Sequence, residues 1–179
     1  METTYPADQL ETRIVSSLTK VFADEELQAL PQHSGSALRG ETYSFQMAYR
    51  TNIHMRSLQV HVESELLPHI ELRTVELAPA EFVNYHDADE FVLRMTPGLY
   101  PDPLFPLNNE RGLTGYPYQW RSVWVSVKIP VDTAAGIFDI AVAITDSQGN
   151  PLARENFALE VIPAALPEQK SHIQRSRVG

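Results

Sequence analysis

Six histidines, at positions 33, 54, 61, 69, 86 and 172, are the chain's candidate bases and metal ligands. Imidazoles gather a metal when spacing brings two of them onto one face, as in H-E-x-x-H, and no pair here is so spaced. The run YHDADE groups His86, Asp87, Asp89 and Glu90, whose hard oxygens suit calcium. It lacks the alternating D-x-D-x-D-G order and the closing bidentate Glu, so it reads as a solvated turn. Asp102 and Glu110 are the carboxylates a small stand-alone hydrolase would use as acid and base. Such a pair needs surroundings that set the two pKa values apart, and no periodic element stands behind either residue. There is no G-x-S-x-G and no phosphate-cradling glycine motif; HSGSALRG reads only as a flexible Ser/Gly loop. The absence of cysteine removes thiol nucleophiles, thiolate metal sites and disulfides. The expectation is no catalytic residue, no cofactor and no metal on this chain.

Aromatic side chains are the second source of chemistry, and they concentrate between Pro97 and Trp120 in PGLYPDPLFPLNNERGLTGYPYQW. If one strand runs from Tyr118 to Lys128, then Val123, Val125, Val127 and Ile129 fill a core. The opposite face then presents Tyr118, Trp120 and Trp124, a row whose exposure would leave several hundred Å2 of apolar surface in water. Three covers are open: the proline-rich segment folding back, a neighbouring domain, or a sugar ring stacked on the indoles. The residues expected to carry an interface or a stacked ligand are Tyr100, Pro101, Pro103, Leu104, Phe105, Tyr118, Trp120 and Trp124.

The elements that position these residues alternate with period two. In ETYSFQMAYR, Tyr43, Phe45, Met47 and Tyr49 share a face; in SLQVHVES, Leu58, Val60 and Val62 do. IELRTVEL changes phase between Leu72 and Val75, which predicts a bulge near Thr74. RIVSSLTKVF and FVLRM are further strand candidates, and ADEELQAL predicts one or two helical turns. Phe138, Ile140, Val142 and Ile144 answer Phe157, Leu159 and Val161 across DSQGNP, where Gly149 admits positive φ. About eight short strands joined by turns predict an all-β protein, an immunoglobulin-like antiparallel β-sandwich with a long Pro/aromatic-rich loop. Residues 1–9 are expected to be a flexible N-terminus, 10–167 the sandwich domain, and 168–179 a disordered tail.

A chain of 179 residues suits one such domain. Its net charge of -9, with no basic stripe, opposes nucleic acid as a partner. No segment reaches the roughly 20 apolar residues of a membrane helix, and METTYPADQLETR has neither the basic start nor the apolar run of a signal peptide. A cytoplasmic protein is expected.

PGLYPDPLFPL, then WRSVWVSVKIPVDTAAGIFDIAVAI, then FALEVIPAALPEQ resemble the N-terminal β-sandwich of glycoside-hydrolase-family-123-like bacterial proteins. GETYSFQMAYR matches an early strand of that domain, and the resemblance covers about residues 10–169. Gly136, Phe138 and Ile140 form a pattern common to many sandwiches, whereas PGLYPDPL in fixed order before the tryptophans is more specific. The resemblance implies a parent enzyme of β-N-acetylhexosaminidase type. In it a (β/α)8 barrel of about 250 residues carries an adjacent Asp–Glu pair that works with the substrate's acetamido oxygen. That pair has no position to map to here; Asp89–Glu90 lies in the sandwich part. KSHIQRSRVG departs from the apolar continuation expected after LPEQ, as a truncated hand-off to an absent barrel would. The implied role is a non-catalytic accessory module whose partner is the barrel of the parent chain. The alternatives are a carbohydrate-binding module stacking sugars on Trp120 and Trp124, and the hydrolase of Asp102 and Glu110. Either way, an uncovered aromatic face could pair the isolated domain into a homodimer.

Overall fold

The computed structural model describes residues 9–81 and 93–167. They form ten strands: β1 (Leu10–Ser16), β2 (Ser34–Arg39), β3 (Thr42–Thr51), β4 (Met55–Glu63), β5 (Ile70–Ala80), β6 (Gly98–Pro106), β7 (Leu113–Gly115), β8 (Arg121–Lys128), β9 (Gly136–Thr145) and β10 (Pro151–Ala165). One sheet has the order β1-β3-β8-β5-β6 and the other β2-β10-β9-β4-β7. The all-β sandwich expected from the alternating pattern is the fold. Every pair in the first sheet is antiparallel, while β2 lies parallel to β10 in the second.

The core forms where period-two side chains from both sheets meet. Phe45, Met47, Val123, Val125, Val127 and Ile129 come from one side, and Leu58, Val60, Ile140, Val142, Ile144, Phe157 and Leu159 from the other; all are buried. Phe45 and Phe157 stack across the interior with centroids 4.4 Å apart. The predicted hairpin is β9–β10, with Phe157 opposite Ile140 and Leu159 opposite Phe138. Its turn closes on Asp146, whose carboxylate accepts hydrogen bonds from the Gln148 and Asn150 amides at 2.9 and 2.8 Å and from the Asn150 side chain at 2.8 Å. Gly149 supplies the positive φ of 85°.

Five local expectations differ. HSGSALRG is no loop: Ser34–Arg39 is a strand that pairs with β10, and it can be one because a small-residue strand leaves room for the Tyr43 and Phe157 rings against Gly35. ADEELQAL holds no helix, and FVLRM is not a strand over its described residues 93–95; its first two residues lie outside the described ones. The segment expected to be an irregular Pro/aromatic loop contains β6, the edge strand beside β5. An edge strand needs partners on one side only, so prolines are tolerated there. The bulge expected near Thr74 is found one step away and on the partner. Val75 to Leu77 spans two residues while Leu104 to Pro101 spans three, so the extra residue belongs to β6 at Asp102–Pro103.

The outer face of the first sheet is covered too. A second apolar cluster joins Val15, Val21, Ala48 and Trp120, with Leu27 and Ala29 against it. Residues 17–32, which connect β1 to β2, lie over it. Gln46 holds them down, its amide donating to the carbonyls of Ser16, Ser17 and Thr19 at 3.2, 3.4 and 2.7 Å while its oxygen accepts from Ser122 Oγ at 2.8 Å. Arg13 donates to the carbonyls of Leu27 and Ala29 at 2.8 and 2.9 Å.

Candidate functional site

The row Tyr118, Trp120, Trp124 does not exist as a common face. β8 begins only at Arg121, because a turn over Tyr116–Gln119 precedes it (Gln119 N to Tyr116 O, 3.1 Å) and Tyr118 stands at φ 60°. Tyr118 is thereby thrown outward, 74% exposed, while Trp120 turns in and is 1% exposed. Its indole lies beneath residues 17–32, with the Arg50 and Arg13 guanidiniums 4.8 and 5.7 Å from the ring. The expectation that Trp120 faces solvent and needs an outside cover, from a partner or from a sugar, is corrected: its own chain covers it. Trp124 is half-buried, its Nε1 donating to Ser126 Oγ at 3.0 Å.

The other expected site residues divide along β6. Tyr100 is turned onto its own domain: its hydroxyl donates to the Thr96 carbonyl at 2.7 Å, and its ring packs edge-on against Phe22 at 5.6 Å. Pro101 is buried and Pro103 half-buried. Leu104 and Phe105 are exposed, as are Leu99 and, beyond the strand, Tyr116. The stretch from Gly98 to Tyr118 therefore does expose apolar side chains, Leu99, Leu104, Phe105, Tyr116 and Tyr118 rather than the tryptophans, with Leu104 and Phe105 on opposite faces of the first sheet.

Beside Phe105 the two sheets splay and leave an open cleft of about 540 Å3. Its floor continues the inner face of the first sheet. Tyr49 stands opposite Arg121 just as Met47 stands opposite Val123, and the β5–β8 register carries Glu76 onto the same row. Leu107, Asn108, Arg111, Gly112, Leu113, Thr114 and Tyr116 form the facing wall. Burial raises the pKa of the Tyr49 phenol, with Arg121 pulling the other way and Glu76 and Tyr116 adding to the rise. The phenol stays protonated and donates to the Thr114 carbonyl at 3.3 Å.

That wall has no regular ladder of its own beyond β7, yet it is tied at every turn. The Asn109 side chain takes the place of a paired strand residue, donating to the Val60 carbonyl at 2.9 Å and accepting from the Val60 amide at 3.1 Å. Asn108 Oδ1 accepts from the Glu110 and Arg111 amides at 2.8 and 3.3 Å. Gly112, at φ 69°, lies so close to Ser57 that an added Cβ would sit 2.7 Å from its backbone. Ser57 itself is left-handed, at φ 55°, within the irregular β4–β7 pairing. The Tyr118 amide donates to the Thr51 carbonyl at 2.7 Å. Two non-glycine residues with positive φ thus flank the cleft wall, the kind of stored backbone strain that collects at functional sites. Sequence reading missed Asn109, Arg111, Tyr116 and Arg121; the only signal was the dense Asn/Gly turn chemistry of LNNERGLTG.

The carboxylates proposed for a hydrolase do not form a desolvated pair. Asp102 is exposed and bridges to Lys20 at 3.2 Å, and Glu110 is exposed on the turn. His61 reaches only Thr145 Oγ1, at 3.2 Å, and His54 stacks on Tyr116 with centroids 5.6 Å apart. The YHDADE group, residues 1–8 and the expected tail from 168 onward lie outside the described residues. Among the described residues no helix is long and apolar enough to cross a membrane.

No protein-family model matches the chain. No curated protein matches it in sequence. Among solved structures it is similar to a family 123 glycoside hydrolase from Clostridium perfringens, at 14% identity and a TM-score of 0.66 over 89% of this chain. It also has a weaker likeness to the GspB Siglec domain (14% identity, TM-score 0.41, 84% of this chain and 57% of that one). A further likeness is to the sialic-acid-binding region of a Streptococcus sanguinis SK1 adhesin (17%, TM-score 0.36, 86% and 30%). The chain spans 28% of the length of the Clostridium hydrolase, so what the two share is the fold of one domain within a longer enzyme.

Proposed function

We propose that this chain is the non-catalytic accessory sandwich of a glycoside-hydrolase-like protein of β-N-acetylhexosaminidase type, packed on a catalytic (β/α)8 barrel. The observation that carries the reading is the edge strand β6, which exposes Leu99, Leu104 and Phe105 along one margin of the sandwich. The fold shared with part of a family 123 enzyme supports it. Exposed apolar side chains along the edge of an otherwise acidic domain are suited to burial against another protein. Its role would be to cover apolar surface of the barrel and form one wall beside the substrate cleft. The rival in which sugars stack on Trp120 and Trp124 loses its first platform to residues 17–32.

The docking reading is tested on the isolated chain. It should bind an apolar dye and self-associate in light scattering, and Leu104→Ser with Phe105→Ser should abolish both. Both sites are exposed, so unfolding should shift by no more than about 0.5 kcal/mol per site. A chain that is monomeric and dye-free before mutation would overturn the proposal.

A further inference from the structure

We infer that the cleft between β5–β6 and β7 is a binding site for an acidic sugar, with Arg121 as the carboxylate anchor. This goes beyond the docking reading and does not depend on it, although Phe105 borders both surfaces.

Arg121 is an arginine whose donors are unspent. Arg121 is half-buried on the cleft floor with its guanidinium 5.2 Å from the Tyr116 ring, and Tyr116 is in turn backed by His54. Stacking holds the guanidinium flat and limits its rotamers, so it loses little freedom when a ligand binds. Its Nε is buried without a partner, and the guanidinium forms no hydrogen bond or ion pair with any described residue. The other arginines of the first sheet are engaged: Arg13 on two carbonyls, Arg50 on Glu11 and Glu26, Arg73 on Glu71. A planar fork of N–H donors at the bottom of a cleft matches a carboxylate, which accepts two parallel hydrogen bonds.

The rest of the cleft selects for a sugar. Arg111 on the wall adds a second cation, and its backbone is fixed by Asn108. Glu76 on the floor offers an acceptor for hydroxyl groups, and its charge disfavours ligands that are anionic all round, such as phosphate esters. Phe105, 55% exposed in the cleft lining, supplies an aromatic ring on which the C–H side of a pyranose can stack. The volume of about 540 Å3 holds one or two sugar rings. The wall is already pinned through Asn109 and Gly112, so binding requires little ordering. In a chain of net charge -9, this cleft sets the two cations Arg121 and Arg111 against the single carboxylate of Glu76.

The test is calorimetric titration of the full chain with glucuronate and N-acetylneuraminate, and in parallel with glucose and N-acetylgalactosamine. Acidic sugars should bind saturably and at least tenfold tighter than the neutral ones, and more weakly as salt rises. Arg121→Gln should lower that affinity at least tenfold, with Arg121→Lys intermediate. Arg111→Gln, on the surface and free of folding risk, should lower it by a smaller factor. No binding of either acid by the folded wild-type chain would overturn the inference. So would equal binding of the neutral sugars, or acid binding that survives both Arg121→Gln and Arg111→Gln. Loss of self-association in Leu99→Ser/Leu104→Ser, which leaves Phe105 and the rest of the cleft lining in place, with acid binding intact would separate this site from the docking surface.

Discussion

Two aromatic residues two positions apart, Tyr118 and Trp120, have opposite fates, and the difference is one backbone torsion. At φ 60° Tyr118 leaves the strand path, so the alternation that would have put both rings on one side is broken before β8 starts. A left-handed tyrosine gives no warning in sequence, since glycine and asparagine are the usual occupants of that region. The cover over Trp120 was equally illegible. Residues 17–32, whose pattern suggested the end of a strand and a turn or two of helix, form neither. Their place over the sheet depends on Gln46, an interior strand residue that looks solvent-facing by its polarity. The energetic consequence is asymmetric. Trp120→Ala removes a buried indole from a cluster with little capacity to collapse and should cost about 3–5 kcal/mol, whereas Tyr118→Ala should stay within about 0.5 kcal/mol. Urea denaturation of the two variants reads this directly. Gln46→Leu fills the same space but takes the side-chain donor from the Ser17 and Thr19 carbonyls and the acceptor from the Ser122 hydroxyl, while the Ser16 carbonyl keeps the Thr19 amide. It should cost about 2–3 kcal/mol despite being more apolar.

At the scale of elements, what was legible was whatever is held by local pattern. The β9–β10 hairpin follows from strict alternation and turn residues, and its turn carries a pH signature. The Asn150 side chain above all, then backbone amides of the turn, hold the Asp146 carboxyl below the ordinary carboxylate value, against the opposing effect of burial. A folded-state pKa below that of the unfolded chain means stabilisation that is complete above the ordinary value of 3.8 and lost as pH falls through the folded value. Asp146→Asn should therefore flatten the acid limb of a melting-temperature profile while costing stability at neutral pH. A wild-type slope retained in Asp146→Asn would refute this. The cleft wall was illegible because it is held by long-range substitutes for a ladder, Asn109 on Val60 and Gly112 on Ser57. Gly112→Ala places a methyl against backbone at a positive φ and should destabilise by more than about 1 kcal/mol. The same change to Gly149, also left-handed but with open space around it, should cost only its torsional strain.

At the scale of the molecule, the problem is how a sandwich presents an apolar edge without polymerising through it. β6 answers with proline. Leu107 donates its amide to Leu72, at 3.1 Å, so the Pro106 nitrogen points away from β5. Arg73, Val75 and Leu77 are spaced by two on β5, and they face Pro106, Leu104 and Pro101. All three therefore turn their nitrogens to the outer edge, and two of the three have no hydrogen to offer there. Pro103 sits in the bulge that restores this phase. The strand thus keeps the side chains of Leu104 and Phe105 available while denying the ladder that would let another strand add. Restoring donors tests this. Pro101 is buried, so the substitution belongs at the exposed Pro106. Pro106→Thr should leave unfolding within about 1 kcal/mol yet promote thioflavin-positive assemblies at concentrations where the wild-type chain shows none. If the variant remains as free of such assemblies as wild type, this proline does not guard the edge, and the docking surface owes its specificity to side chains alone.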